Sequence, residues 1–245
     1  NMSVATSADG IAWTKSSKNP LLGGQWGEPM VASVASGYRM WNQTGGWTHY
    51  ATGVSVDGET WSDVEQFAPI TPPFVGVERA LDMYHGWRWQ GGGGVIAWDH
   101  VTSADGKTFG GAKMTNLASI GVIGFPSVHW VVDRFVGAAR TTAGYVWLLS
   151  DDGVTWASGA MFLPPGAEGT WDANLGRSAL AVERRSVSVY YGNAAATGVG
   201  LAWPSGSAIA QVACVQKDGT WLPLNNGTGA YGCWLTSPNF ASCDE

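Results

Sequence analysis

Ser55-Val56-Asp57-Gly58-Glu59-Thr60-Trp61 is a heptapeptide that recurs along the chain. Further copies begin at Ser7, Ser103 and Ser150, and the glycines of the four copies, at positions 10, 58, 106 and 153, are 48, 48 and 47 residues apart. Self-similarity at a fixed period of this length is typical of solenoids and propellers. The repetition therefore predicts one supersecondary unit that is built several times.

Each repeat carries three short runs rich in β-branched and aromatic residues, separated by turn residues. In the second repeat we assign these runs to residues 80–84, 87–89 and 95–98, and a fourth strand starts at the aromatic residue that ends the heptapeptide. Four strands per repeat make one propeller blade. From Gly153 through the chain end and on to Gly10 there are 102 residues, which is room for two more periods. We predict an all-β, five-bladed β-propeller with four antiparallel strands per blade, in one domain over 1–245, whose last blade is closed by N- and C-terminal strands.

The composition favours many short strands and excludes some classes of binding partner. The chain holds 35 glycines and 15 tryptophans, and charged residues make up 13 %, about half the usual share. A formal net charge of −6 disfavours nucleic acid and anionic membrane surfaces as partners. Apolar runs are too short for a transmembrane helix, so we expect no membrane insertion.

Cysteine and sequon placement favours a secreted or extracellular protein. Cys214, Cys233 and Cys243 match no zinc spacing. In an oxidising compartment one pair, which the sequence leaves open, would pin the C-terminal tail and leave one thiol free, and the alternative is three thiols without a disulfide. Asn-x-Ser/Thr sequons occur at positions 1, 42 and 226. The four histidines show no metal-ligand spacing, and we expect neither a metal nor another cofactor.

The heptapeptide resembles the Asp-box, or BNR repeat, of sialidases and related propellers. The aspartate accepts turn amide hydrogens, the glycine takes a positive φ, and the aromatic residue packs between sheets. The resemblance implies that the turn joins the third and fourth strands, away from the central pocket. The repeated aspartates are therefore expected to be structural, and Trp13, Trp61 and Trp156 to pack between blades.

A ligand pocket is expected on the propeller axis, where the innermost strand of each blade begins. Counting 15 to 17 residues after each heptapeptide aromatic places Glu28, Glu78 and Asp172 at this position in three blades. The arrangement is loosely similar to five-bladed glycoside hydrolases of the arabinanase, xylosidase and fructosidase type. That resemblance implies a base or nucleophile, an acid and a third carboxylate around the axis. We expect the substrate-binding residues to be aromatic, imidazole and guanidinium side chains near these acids: Trp26, Trp47, His49, Arg79, His129, Trp171 and Arg177.

Two classes of function remain in view, with a third behind them. The first is a carbohydrate-directed enzyme of the glycoside-hydrolase type with one axial acidic pocket, because the residues at the strand-start position differ between blades. The second is a non-catalytic lectin or adhesion module, favoured by the short loops. The third is a structural extracellular propeller in which the acids cap strands or pair with arginines. A glycan or polysaccharide is the expected partner in the first two.

Overall fold

The computed structural model describes residues 2–8, 12–22, 26–44, 49–67, 73–91, 97–124, 126–131, 133–166, 168, 173–183, 186–193, 199–202, 214–215, 221–222, 233–236 and 240–243. Over residues 26–28, 176–188 and everything after 189 the description covers the backbone alone. Within these ranges the secondary structure is β-strand, bridge and turn, with no helix. The chain divides into two compact units, Asn1–Gln90 with Asp99–Lys113, and Gly91–Trp98 with Met114–Glu245.

The first unit starts with a short ribbon and contains a four-stranded antiparallel sheet. In the ribbon, β1 (Ala5–Thr6) pairs with β2 (Thr14–Lys15). The first sheet has the order β3-β4-β5-β6, with strands Trp26–Val34, Gly37–Thr44, His49–Ser55 and Ser62–Phe67. A register shift between Gly27 and Met30 of β3 places a bulge beside Glu28.

A second four-stranded sheet follows and belongs almost entirely to the same unit. It has the order β7-β8-β9-β10, with strands Phe74–Ala80, Met83–Trp89, Trp98–Ser103 and Gly110–Met114. The first strands of the two sheets, β3 and β7, lie against each other. The two sheets bury a common apolar cluster formed by Ala32, Trp41, Tyr50, Phe74, Val77, Tyr84 and Val101.

The second unit repeats the same pattern. Its four-stranded sheet consists of β11 to β14, which span Ser127–Val131, Arg134–Arg140, Tyr145–Ser150 and Ala157–Leu163. A three-stranded sheet follows with β15 to β17, at Leu175–Glu183, Ser186–Asn193 and Val199–Ala202. Two hairpins lie near the C-terminus, β18 with β19 (Cys214–Val215, Trp221–Leu222) and β20 with β21 (Cys233–Thr236, Phe240–Cys243). Within this unit β11 and β15, again first strands, are neighbours.

The first strand of the second sheet lies earlier in the chain than the sequence predicted. Residues 80–84 were assigned to a strand, but Leu81 and Asp82 form the β7–β8 hairpin turn. Their φ angles of 50° and 61° are both positive, the conformation of a type I′ turn that suits the twist of paired strands. The prediction was wrong because neither residue is a glycine or asparagine, and an apolar run normally marks a strand.

Three of the four heptapeptides, those that begin at Ser55, Ser103 and Ser150, form the turns between the third and fourth strands of their sheets. The copy that begins at Ser7 lies between β1 and β2, and its residues 9–11 lie outside the described residues. In the first sheet Asp57 Oδ1 accepts hydrogen bonds from the backbone N–H of Glu59 (2.8 Å) and Thr60 (2.6 Å). Gly58 takes a φ of 76°, and its N–H donates to Ser55 Oγ at 2.8 Å. The copies after β9 and β13 repeat this pattern with the same spacing.

The heptapeptide tryptophans contribute to their own turns, and their packing between blades stays a prediction. Trp61 and Trp156 each donate an indole N–H to the glycine carbonyl of their own turn, at 3.2 and 3.1 Å. Trp13 is 53 % exposed. An indole that reaches back three residues satisfies its own N–H locally, so Trp61 and Trp156 close their turns. The centroid of the Trp156 ring also lies 6.4 Å from that of Phe135 on β12.

Blade closure and a single domain over 1–245 stay predictions. Among the described residues, β1 pairs with β2 and the C-terminal strands pair within their own hairpins. Instead, the N-terminal segment contacts the first sheet, where Lys18 Nζ lies 3.5 Å from Asp57 and 3.1 Å from Glu59.

Candidate functional site

The two ends of the second sheet differ in chemistry. Strand β7 begins at Phe74 opposite Arg88 of β8, and we call this the entry end of the sheet. The Leu81–Asp82 hairpin and the heptapeptide turn after Ser103 both lie at the other end, the turn end. The predicted pocket lies at the entry end, so a residue that lines it is expected close to that end of its strand.

Glu78 lies deeper in its strand than the sequence predicted. Because β7 starts at Phe74, Glu78 is its fifth residue and not its first, and it is 8 % exposed. The strand extends further toward the N-terminus because Phe74 and Val77 are buried in the apolar cluster of the unit. Glu78 pairs directly with His85 of β8, and directly opposite residues share one face of a sheet.

A pair of buried histidines lies on the same face. His85 Nδ1 is 3.0 Å from His100 Nε2, and the rings are stacked with centroids 5.1 Å apart. One of these two nitrogens has to carry the hydrogen that the other accepts. Burial lowers the pKa of His85 below its usual value, against an opposing hydrogen bond with the Ala80 backbone. Burial therefore favours the neutral form of the His85 imidazole.

An ion-pair network lies at the entry end, and the sequence did not indicate it. Arg88 Nε donates to Asp99 Oδ1 at 2.9 Å, and Arg88 Nη2 donates to Asp99 Oδ2 at 2.5 Å. Gln90 Nε2 donates to the same Oδ2 at 2.6 Å. Asp99 is 2 % exposed, whereas Gln90 is exposed. The two-fold arginine–carboxylate geometry is strong and specific in direction.

Trp89 is a further aromatic residue at this end that the sequence analysis missed. It ends β8 and is 37 % exposed, and its backbone N–H donates to the Pro73 carbonyl at 2.9 Å. Strand alternation puts its side chain on the face of Trp87, opposite to that of Arg88. The alternating Trp87-Arg88-Trp89 segment was the available signal, because on a β-strand it separates an aromatic face from a charged one.

The other two predicted carboxylates are located by backbone or not at all. Glu28 is the third residue of β3, at the bulge, and its side chain lies outside the described residues, as does that of Trp26. Asp172, Trp171 and Trp47 lie outside the described residues altogether. The convergence of the three carboxylates on one pocket therefore stays a prediction.

The remaining predicted binding residues occupy separate places. His49 is exposed and pairs with Thr44 at the end of β4. Arg79 lies near the turn end, where its Nη2 donates to Asp82 at 3.3 Å. His129 is half-buried on β11, and Arg177 is placed by backbone alone on β15.

Three of the heptapeptide aspartates have a structural environment, and the fourth, Asp9, lies outside the described residues. Backbone N–H groups of Thr60 and Glu59 hold the pKa of Asp57 well below its usual range. The same donors, from Thr108 and Lys107, lower the pKa of Asp105. A carboxyl group stabilised in its charged form inside a turn is a poor proton donor, which agrees with a role in the fold.

The described residues contain neither a metal-binding cluster nor a membrane-spanning helix. These residues contain no cluster of three or more histidine, cysteine, aspartate or glutamate side chains that would hold a metal ion. No helix among them is long and apolar enough to cross a membrane.

Comparison with solved structures identifies the fold. β-1,2-Mannobiose phosphorylase from Listeria innocua, solved with β-1,2-mannobiose, has a TM-score of 0.57 and 16 % identity, over 82 % of this chain and 65 % of that one. The GH43_1 enzyme from Xanthomonas citri, solved with xylotriose, has a TM-score of 0.55 and 12 % identity, over 95 % and 84 %. A thermostable family-43 glycoside hydrolase has a TM-score of 0.56 and 12 % identity, over 93 % of this chain and 88 % of that one.

The chain has the β-propeller fold of these enzymes. At 12–16 % identity the likeness shows the fold alone. The chain spans a little under two thirds of the mannobiose phosphorylase. No protein-family model matches the sequence, and no curated protein matches it significantly.

Proposed function

We propose that this chain is an extracellular, carbohydrate-directed propeller of the glycoside-hydrolase type, with five blades around one axial acidic pocket. The observation that carries the proposal is the likeness in fold to a family-43 enzyme solved with xylotriose, which extends over 95 % of the chain. Ligand sites are commonly concave and few in each protein, and fold likeness raises the prior for a site of the same kind.

Three carboxylates form the proposed catalytic set. Glu28 is the base or nucleophile, and Glu78 or Asp172 is the acid. Glycosidic cleavage needs two carboxyl groups on either side of the scissile bond, about 5–5.5 Å apart for retention and about 6.5–9.5 Å apart for inversion. The bulge beside Glu28 supports this role, because bulges are over-represented next to active sites, where they redirect side chains.

A non-catalytic lectin is the alternative, and the depth of Glu78 favours it. Glu78 lies four residues into β7 from the entry end, opposite a buried histidine. A general acid has to reach the glycosidic oxygen within hydrogen-bonding distance. If Glu78 supports the fold from this position, the pocket keeps sugar recognition without hydrolysis.

One experiment separates these two functions. Wild type, Glu28→Gln and the matched control Glu65→Gln, which removes an exposed carboxylate on β6, are screened on a glycan array. The glycans that bind are then assayed for release of reducing ends. Hydrolysis by wild type and Glu65→Gln, with a loss of at least about 100-fold in Glu28→Gln, supports the enzyme. Binding without hydrolysis by all three assigns the chain to the lectins, and absence of binding by wild type contradicts both.

A further inference from the structure

We propose that the entry end of the first unit holds a subsite for a neutral sugar unit, with Arg88 and Gln90 as its hydrogen-bonding residues. The inference rests on the proposed function and deepens it, because it names the residues and the charge class of the ligand. Neither residue was a candidate in the sequence.

The position of the subsite follows from strand register. Arg88 pairs with Phe74, so the two side chains share one face of the second sheet. Phe74 packs edge-to-face on Tyr50 of the first sheet, with ring centroids 5.4 Å apart. Arg88 therefore lies on the face that looks toward the first sheet, at the end where a propeller pocket is expected.

The network at this end is preorganised. Asp99 receives three hydrogen bonds of 2.5–2.9 Å from Arg88 and Gln90, which fix the guanidinium plane and the amide plane together. Fixing Gln90 Nε2 on Asp99 leaves its carbonyl oxygen as the acceptor for a ligand, and Arg88 keeps the donors of its other terminal nitrogen. A rigid set of donors and an acceptor matches the vicinal hydroxyl groups of a sugar.

The facing sheet contributes a polar network next to Phe74. Gln43 Nε2 donates to the Tyr50 hydroxyl at 2.9 Å, and the Phe74 N–H donates to the same oxygen at 2.7 Å. Gln43 is 3 % exposed, and its Oε1 is buried without a hydrogen-bond partner in the described part of the chain. Buried polar atoms are nearly always hydrogen-bonded, so this oxygen is an exception, and its burial leaves no room for a ligand atom beside it. The hydrogen-bonding groups of the subsite are therefore those of Arg88 and Gln90.

Charge compensation sets the ligand class. The side chain of Arg88 is 14 % exposed and that of Asp99 is 3 % exposed, so the two opposite charges cancel in a region of low solvent access. A carboxylate on the ligand would meet Asp99 as well as Arg88 and would gain little. Hydroxyl groups need only donors and acceptors, so the subsite favours neutral sugars over uronic or sialic acids.

The test uses the full chain and isothermal titration with xylotriose, β-1,2-mannobiose and a glucuronic-acid-bearing xylo-oligosaccharide. The variants are Gln90→Ala, at an exposed position, and Arg88→Lys, which keeps the charge and loses the fork geometry. The matched control is Arg134→Lys in the third sheet, whose guanidinium also contacts carboxylates.

We expect a neutral oligosaccharide to bind wild type and Arg134→Lys equally. Gln90→Ala should lose about 2- to 10-fold in affinity for one neutral hydrogen bond, and Arg88→Lys about 10-fold or more. If both variants bind as tightly as wild type, the subsite is wrong while the proposed function stands. Tighter binding of the acidic oligosaccharide also overturns the subsite. If wild type binds none of the three oligosaccharides, the subsite is overturned, while the glycan array tests the proposed function separately.

Discussion

Trp41 joins the two sheets of the first unit, and its replacement by phenylalanine should destabilise the protein strongly. The side chain is fully buried, and its indole N–H donates to the Gly106 carbonyl at 2.7 Å. Gly106 belongs to the heptapeptide turn of the second sheet and has a φ of 70°, and a Cβ there would lie 3.1 Å from the Trp41 ring. This close approach requires glycine and brings its carbonyl within reach of the indole.

The magnitude follows from the contacts that Trp41→Phe removes. A buried carbonyl left without its donor costs about 1–3 kcal/mol. The edge-to-face contact between Trp41 and Tyr84, with centroids 5.2 Å apart, contributes about 0.5–1.5 kcal/mol and is weakened by the smaller ring. The total is about 2–4 kcal/mol. For a chain of this size, Tm shifts by about 2–4 °C for each kcal/mol, so a decrease of about 5–15 °C is expected.

Trp147→Phe is the matched control. Trp147 is 1 % exposed and stacks on Phe162, but its Nε1 has no hydrogen-bond partner among the described residues. Replacement by phenylalanine removes a buried N–H group that makes no hydrogen bond, and this gain offsets part of the packing energy that is lost with the larger ring. The free energy of unfolding should therefore fall by about 1 kcal/mol or less. Both variants are measured by urea and thermal unfolding. Equal losses in the two variants would refute the hydrogen bond as the source of the difference.

Three further predictions concern the turn, the histidine pair and the C-terminal hairpin. Leu81→Asn should stabilise the protein by about 0.5–1 kcal/mol in thermal unfolding, because a positive φ is unfavourable for leucine and tolerated by asparagine. The control Val56→Asn, at an 82 % exposed position, should give no gain in stability. Equal gains in the two variants would contradict relief of the positive φ as the cause. Burial lowers the pKa of His85, so the unfolded chain binds a proton at this histidine at higher pH than the folded chain does. The stability of the wild type should therefore fall as pH decreases below about 6.5, and that of His85→Gln should fall less steeply. Parallel Tm profiles of the two proteins from pH 7.5 to 5.5 would exclude His85 as the cause. Cys233 and Cys243 are directly opposite in their hairpin. Opposite residues of an antiparallel pair have Cα atoms about 4.5–5.5 Å apart, which is within the range of a disulfide. Non-reducing peptide mapping of the oxidised protein should therefore recover this pair, and a linkage through Cys214 would contradict it.

The turns were predictable from sequence because their hydrogen bonds are local. In the heptapeptide, Asp57 binds amides two and three residues ahead, and its serine binds the glycine N–H, so the motif specifies its own geometry before any sheet forms. The period then located the turn that precedes each fourth strand. The third strand of the second repeat was placed too early, since the run assigned to 95–98 meets β9 only at Trp98. The Asn42 sequon shows the limit of such local patterns, since Asn42 is fully buried on β4 and out of reach of a glycosylating enzyme in the folded protein.

The features that the sequence did not reveal depend on strand pairing. The Leu81–Asp82 turn carries no turn-forming residue pair, so the apolar run hid it and shifted the assumed start of β7. That shift is why Glu78 was placed at the entry end when it lies four residues further along. Arg88 and Asp99 are 11 residues apart, and only the adjacency of β8 and β9 brings them together.

The stoichiometry of sugar binding decides whether the protein is a carbohydrate-directed propeller with one axial site. Isothermal titration of the full chain with the glycan that binds best on the array, and with xylotriose and β-1,2-mannobiose for comparison, reports both affinity and the number of sites. Because the residues at the strand-start position differ between blades, we expect saturable binding of one oligosaccharide per chain. Absence of binding to any glycan, or several equivalent sites per chain, would rule out the single axial site.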